Sequence, residues 1–177
     1  GVAETLERLK ENILNWKVWP DFSELDLINK SGKSIIFTEI DFGDVFEISG
    51  LTIEPIKTCH TIASCGYKIT KDGRTTIITS DTGPCDEVVR VVKETKNLKN
   101  LVIECAFPSR FKKLAHDSMH LTPLLLEEEL KKIGRTDLKI FINHLKPFYE
   151  AEIRSELSAI PLLGSAEVLE DGYKIPY

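Results

Sequence analysis

Apolar residues recur at helical spacing over residues 4–16, where Leu6, Leu9, Ile13 and Leu14 share one face. The helix must stop before Pro20, whose ring disfavours a helical residue ahead of it. Beyond Asp21-Phe22 the pattern becomes that of strands: 34–40 and 44–48 flank a turn that includes Gly43, and 51–60 is a third extended run. Residues 66–70 and 75–82 predict a hairpin, because Lys71-Asp72-Gly73 is a turn signal between two β-rich stretches. From residue 84 helices and strands alternate. A helix over 84–96 has Pro84 in its first turn, and 101–106 is a strand. Residues 122–133 form a helix with Thr122 as cap and Pro123 at the first position, followed by a buried strand at 139–143 and a helix at 149–159. A strand pair or one bent strand closes the chain at 166–175. A β-rich first half therefore precedes an α/β second half, with no repeat and no linker, which predicts a single domain over 1–177.

Composition narrows the classes. A chain of 177 residues, 42% hydrophobic and 29% charged, can bury a sizeable core, which excludes a peptide hormone, a disordered tail and a membrane bundle. Its longest apolar runs are short, as in Ile35-Ile36-Phe37 and Ile140-Phe141-Ile142, far below a membrane span. The net charge of -5 is mixed along the chain, which disfavours a general phosphate-backbone binder but not an anionic substrate held by metal. Cys59, Cys65, Cys85 and Cys105 form no CxxC pair, so reduced, mostly buried thiols are expected, and with them a cytoplasmic setting. Charged residues interrupt any signal peptide in 1–25. The chain opens at Gly1 and its single methionine is Met119, so residues ahead of Gly1 are expected.

The candidate chemistry lies where polar residues fall against the strands. His60 and Asp81 end two of them, Glu104 lies late in a third, and His144 ends a fourth. Strand ends of a helix-covered sheet converge on a shared cleft. Two imidazoles and a carboxylate are donors that zinc, iron or manganese accept. His120, just before a helix, has the chemistry of a general acid. Each has a bland alternative: a lone histidine at a strand end is more often simply hydrogen-bonded, and Asp81 before Thr82-Gly83-Pro84 is an ordinary turn or cap residue. Glu104 in an apolar strand is harder to dismiss, because a buried carboxylate needs a partner. His116 reads as a solvent-facing residue of a charged segment.

Four segments together resemble the metallo-β-lactamase superfamily, in its branch of ribonuclease Z and class II cyclic-nucleotide phosphodiesterases. They are Cys59-His60-Thr61 with Gly66-Tyr67, Ser80-Asp81-Thr82-Gly83-Pro84, Ile103-Glu104-Cys105-Ala106-Phe107 with the later run 118–123, and Asn143-His144-Leu145-Lys146-Pro147. The helix leading into Trp19-Pro20-Asp21-Phe22 is similar to the phosphodiesterase branch. The resemblance implies an α/β fold, the αββα sandwich, with its N-terminal part expected to be missing. It implies two divalent metal ions, zinc first and iron or manganese next, with His60, Asp81 and His144 as ligands and Asp81 as the bridge. It further implies a phosphodiesterase cleaving a cyclic nucleotide or similar small phosphodiester through a metal-bridged hydroxide. In that reading His120 protonates the leaving oxygen, Glu104 orients His120 and raises its pKa, and Asp81 counts among the catalytic groups.

One departure is large. The family's His-x-His-x-Asp-His loop is absent from these residues, and His60, Asp81 and His144 alone give at most one or two ligands per metal. The fragment alone is then expected to be inactive unless preceding residues supply the rest. Two alternatives stay open: an RNA 3′ processing nuclease similar to ribonuclease Z, and a non-catalytic domain that kept the fold. Only 20 residues separate His60 from Asp81, where ribonuclease Z carries an insertion, and the chain is acidic. The expected partner is thus a small phosphodiester, with nucleic acid disfavoured, no membrane, and a homodimer allowed.

Overall fold

The computed structural model describes residues 1–176 and divides into two compact units, Gly1–Asp41 and Phe42–Tyr177. In the first unit the helical periodicity is realised as α1 (Ala3–Asn12). It ends before its apolar pattern does, because the chain turns back on itself: Trp19 donates its amide to Ile13, and Trp16 donates to Trp19. Asn15 fixes the turn by accepting from the amides of Lys17 and Val18. The strand expected at 34–40 is not formed. Ile35 and Phe37 are half-buried and Ile36 is exposed, so the segment is alternating, yet among the described residues no strand pairs with it in a ladder.

The second unit begins with a meander. β1 (Phe46–Ile48), β2 (Leu51–Lys57), β3 (Cys65–Lys71) and β4 (Arg74–Ile78) pair antiparallel in chain order. The β3–β4 connection is the predicted turn: Asp72 (φ 47°) and Gly73 (φ 74°) both take the left-handed conformation, whose twist suits a two-residue hairpin. β5 (Leu98–Glu104), β6 (Lys139–Asn143) and β7 (Glu167–Val168) then add in parallel, giving one seven-stranded sheet whose strand order is its chain order.

Parallel neighbours need crossovers. α2 (Asp86–Glu94) joins β4 to β5, α3 (Lys112–Asp117) and α4 (Pro123–Ile133) join β5 to β6, and α5 (Glu150–Ala159) joins β6 to β7. α4 starts as its sequence dictates: the Thr122 hydroxyl accepts from the Leu125 amide, Pro123 follows, and Gly134 in the left-handed conformation ends the helix. α3 has no counterpart in the sequence pattern, which is too short and too charged there to show a period.

Ile77, Leu101, Ile103 and Ile142 turn to the helix-covered face, where they join Val92 of α2, Leu126 of α4 and Ile153 of α5 in one core. All seven are at most 1% exposed, each burial contributing about 1.5–3 kcal/mol before the entropy of ordering. On the opposite face, Phe141 meets Tyr173 with ring centroids 5.7 Å apart, and the Asn100 amide donates to the Pro176 carbonyl at 2.9 Å. The carboxyl-terminal segment lies there as an unpaired strap. The strand pair expected at 166–175 is therefore reduced to the two residues of β7, because the rest of the segment leaves the sheet edge to cover that face.

Candidate metal centre

β2, β4, β5 and β6 run in the same direction, so their carboxyl ends share one edge of the sheet. His60 lies shortly past β2, Asp81 shortly past β4, Glu104 closes β5, and His144 directly follows β6. His120 reaches the same edge from the segment between α3 and α4. The backbone is bent sharply at three of these points. Ser80 (φ 56°), Met119 (φ 55°) and His144 (φ 61°) all take the left-handed conformation without being glycine, a cost of about 1–3 kcal/mol each that tends to be tolerated where function needs it. Gly83 permits the Asp81 and His120 segments to approach, since a Cβ there would meet the Met119 Cα at 3.2 Å.

The five predicted residues come together. One ligating atom each from His60, Asp81 and His120 lies within 4.8 Å of the others. Asp81 Oδ2 is 4.0 Å from His60 Nε2 and 3.4 Å from His144 Nε2. The His120 ring stacks on His144 at 5.3 Å and meets His60 edge-on at 5.0 Å. Behind His120, Glu104 Oε1 is hydrogen-bonded to Nδ1 at 2.6 Å, which leaves Nε2 as the ring nitrogen free for the site. Glu104 also accepts the Thr82 amide at 2.8 Å and the Leu121 amide at 3.1 Å, so the buried carboxylate has three partners. Exposure is graded: the side chains of Glu104 and His120 are 0% and 9% exposed, those of His144 and Asp81 34% and 42%. His116 stands apart, exposed on α3.

Burial dominates the electrostatics. It pushes His60 down, reinforced by His120, and pushes His120 down as well. Glu104 is pushed up to about 7 by burial, against the two amides that favour its ionised form. The expectation of a raised His120 pKa is thus corrected: burial of the imidazole outweighs the nearby Asp81 carboxylate, which acts in the opposite direction.

The donors suit a divalent cation. His60 Nε2 is buried without a hydrogen-bond partner, although Asp81 Oδ2 lies 4.0 Å away and the His120 ring stands edge-on at 5.0 Å. Such an orphaned nitrogen costs free energy unless something electrophilic occupies its lone pair. Imidazole and carboxylate are the ligands that zinc, iron and manganese share, so the donor set fits a metal without selecting one.

No family model matches the sequence, and no curated protein matches it significantly. Solved structures do. The metallo-β-lactamase fold protein YhfI from Bacillus subtilis superposes with a TM-score of 0.62 at 19% identity, over 77% of this chain and 54% of that one. The chain has the metallo-β-lactamase fold. Human tRNase Z, short form, shares this fold with a TM-score of 0.53 at 17% identity, over 75% of this chain and 46% of its own. CmlA, a diiron β-hydroxylase from Streptomyces venezuelae, shares it with a TM-score of 0.54 at 8% identity, over 75% of this chain and 33% of its own. The chain thus spans about half the length of the first two and less of the third.

Within this metallo-β-lactamase fold, the sequence pattern marks the strand-end residues but not their supports. Thr82 is one: its hydroxyl donates to the Gly83 carbonyl and accepts the Cys59 amide, tying the Asp81 segment to the His60 segment. Lys146 is another, with Nζ 3.2 Å from His144 Nε2. Both stand inside the strand-end motifs, yet only the tertiary arrangement shows what they touch. The four cysteines are free, Cys85 and Cys105 buried and the other two half-buried, and no helix among the described residues is long and apolar enough to cross a membrane.

Proposed function

We propose that the chain is part of a metal-dependent hydrolase that cleaves a phosphodiester, a cyclic nucleotide or a similar small one, in a cytoplasmic setting. The observation that carries this reading is the orphaned, buried His60 Nε2 grouped with Asp81 and His120, with His144 on the other side of the Asp81 contact at 3.4 Å. His60, Asp81 and His144 would hold the metal, with two divalent ions in this reading and zinc the first choice. A bound divalent cation supplies an activated water and neutralises charge on the phosphoryl oxygens.

The chain's own groups do the rest. An alkoxide is a poor leaving group and needs a proton. Neutral His120 offers the hydrogen on Nε2, and as that proton moves to the leaving oxygen, Nδ1 takes one from Glu104 across the 2.6 Å contact. The amides of Thr82 and Leu121 then stabilise the carboxylate left on Glu104. Exposure of Asp81 and His144 opens the front of the site to a substrate, while Glu104 stays out of water.

A nuclease reading draws support from the shared fold with tRNase Z. The net charge of -5 favours the small substrate instead, because a polynucleotide adds phosphates that this surface does not meet with an excess of cations. The experiment is metal analysis of the purified natural protein, with hydrolysis of cAMP and bis(p-nitrophenyl) phosphate. Metal uptake with turnover of either ester is expected. A metal-loaded protein that turns over neither defeats the reading, and a tight, salt-sensitive tRNA complex would move the assignment to RNA.

A further inference from the structure

We propose that Lys146 is a resident cation of the site, which holds the metal-facing nitrogen of His144 in the metal-free protein and turns to the phosphoryl oxygens once a metal ion takes that nitrogen. The inference rests on the phosphodiesterase reading for its second half only.

Its first half is local geometry. Lys146 Nζ lies 3.2 Å from His144 Nε2, the nitrogen that also lies 3.4 Å from Asp81 Oδ2. An ammonium group has donors and no acceptor, so the contact is a hydrogen bond when Nε2 presents its lone pair and the ring hydrogen sits on Nδ1. That is the neutral tautomer a metal ion requires of His144 at Nε2. Lys146 therefore selects the right form of the ligand while standing in the direction from which a cation would approach.

The side chain is placed to move. The Lys146 backbone is anchored through its amide to the Ala106 carbonyl at 3.2 Å, and its ammonium lies over the Phe107 ring at 5.8 Å. Phe107 in turn meets His120 at 5.7 Å. The ammonium group thus lies near the ring beside the proposed acid, and no carboxylate pairs with it among the described residues. Once His144 is committed to a metal, Lys146 is left with three donors, a charge to satisfy, and a position beside the place where a phosphoryl group would bind. A compact, strongly hydrated ammonium on a flexible stem suits that exchange of partners.

The test uses the natural protein with Lys146→Met, which keeps the stem and removes the charge, and Lys146→Arg, which keeps the charge. Zinc affinity is measured by calorimetric titration of the metal-free protein, and inorganic phosphate affinity by competition on the metal-loaded protein. Lys146→Met is expected to bind zinc several-fold more tightly and phosphate at least about tenfold more weakly, the scale on which one nearby charge acts. Lys146→Arg should retain most of the phosphate affinity. The opposite signs matter, since a folding defect would weaken both. Zinc affinity that is unchanged or lower in Lys146→Met overturns the first half, and undiminished phosphate affinity overturns the second. Failure of the unmodified metal-loaded protein to bind phosphate would count against the phosphodiesterase reading itself, and the zinc comparison then decides the pairing of Lys146 with His144.

Discussion

Glu104 Oε1 and His120 Nδ1 are joined by a 2.6 Å hydrogen bond in which neither group reaches bulk water freely. The carboxylate sits at the end of a fully buried stretch of β5, so hydration does not account for its presence. Its three partners come from two separate segments: Thr82 beyond β4, and His120 and Leu121 ahead of α4. Glu104 therefore ties the strand-end edge together as well as orienting one ring.

Glu104→Ala should destabilise the protein by about 3 kcal/mol or more, because it strands two amides and an imidazole nitrogen at roughly 1–3 kcal/mol each. Glu104→Gln keeps an acceptor for part of this set and should cost clearly less. Denaturant unfolding followed by circular dichroism gives both values. A Glu104→Ala cost below about 1 kcal/mol would show that water or rearrangement replaces the carboxylate.

Asp81→Ala should abolish metal uptake, whereas His120→Ala should retain the metal and slow turnover by roughly 100-fold or more, the scale of a lost general acid. The contrast is informative because a His120 nitrogen lies close enough to His60 and Asp81 to ligate. Metal content after dialysis, read beside the rate, separates the two roles. Loss of metal in His120→Ala would make His120 a ligand and leave the proton donor to be found elsewhere.

Thr122→Ala should cost about 1 kcal/mol, the usual worth of a helix cap. Its hydroxyl accepts from Leu125 at the start of α4, and the residue before it in the chain is held by Glu104. Thermal unfolding reads the stability. Thr122→Ser should restore it, and a Thr122→Ser loss equal to that of Thr122→Ala would show that packing of the methyl group, not the cap, is what matters.

Native-state alkylation should modify Cys65 well before Cys105. Cys105 is 0% exposed and burial pushes its thiol well above the usual range, with nearby Glu104 adding to the rise, so thiolate is scarce at mildly alkaline pH. A raised folded pKa stabilises the protein at lower pH, and this contribution is lost only as pH rises toward the folded value. Mass spectrometry after timed iodoacetamide treatment shows the order, and early labelling of Cys105 would reveal local opening of β5.

Much of the second unit is legible in the sequence because its signals are local. Thr122-Pro123 and Gly134 bracket α4, Asp72-Gly73 closes the hairpin, and the apolar run at Lys139–Asn143 is a strand with those bounds. Residues 34–40 and 166–175 mislead for a shared reason: alternation signals an extended chain, but a strand also needs a partner at the right distance. For the site, strand-end polar residues are visible as a pattern. The pairing of Glu104 with Thr82 and Leu121 depends on how strands stack in register and leaves no trace in spacing, and the contact of Lys146 with His144 is made in a loop whose left-handed turn at His144 the sequence does not announce. The lowered pKa of His120 is hidden likewise, since the cost of burial depends on which segments cover the ring.

The chain-order sheet has a kinetic corollary. Each strand docks beside the one made just before it, so the sheet can grow outward from the β3–β4 hairpin without waiting for distant partners. His60 and Asp81 flank that hairpin, whereas His144 arrives only when β6 pairs with β5. A metal ion trapped early would meet an incomplete set of donors and leave, while one arriving after β6 has docked would find every available ligand fixed. Metal retention should therefore lag behind the first β structure and report the docking of β6 on β5.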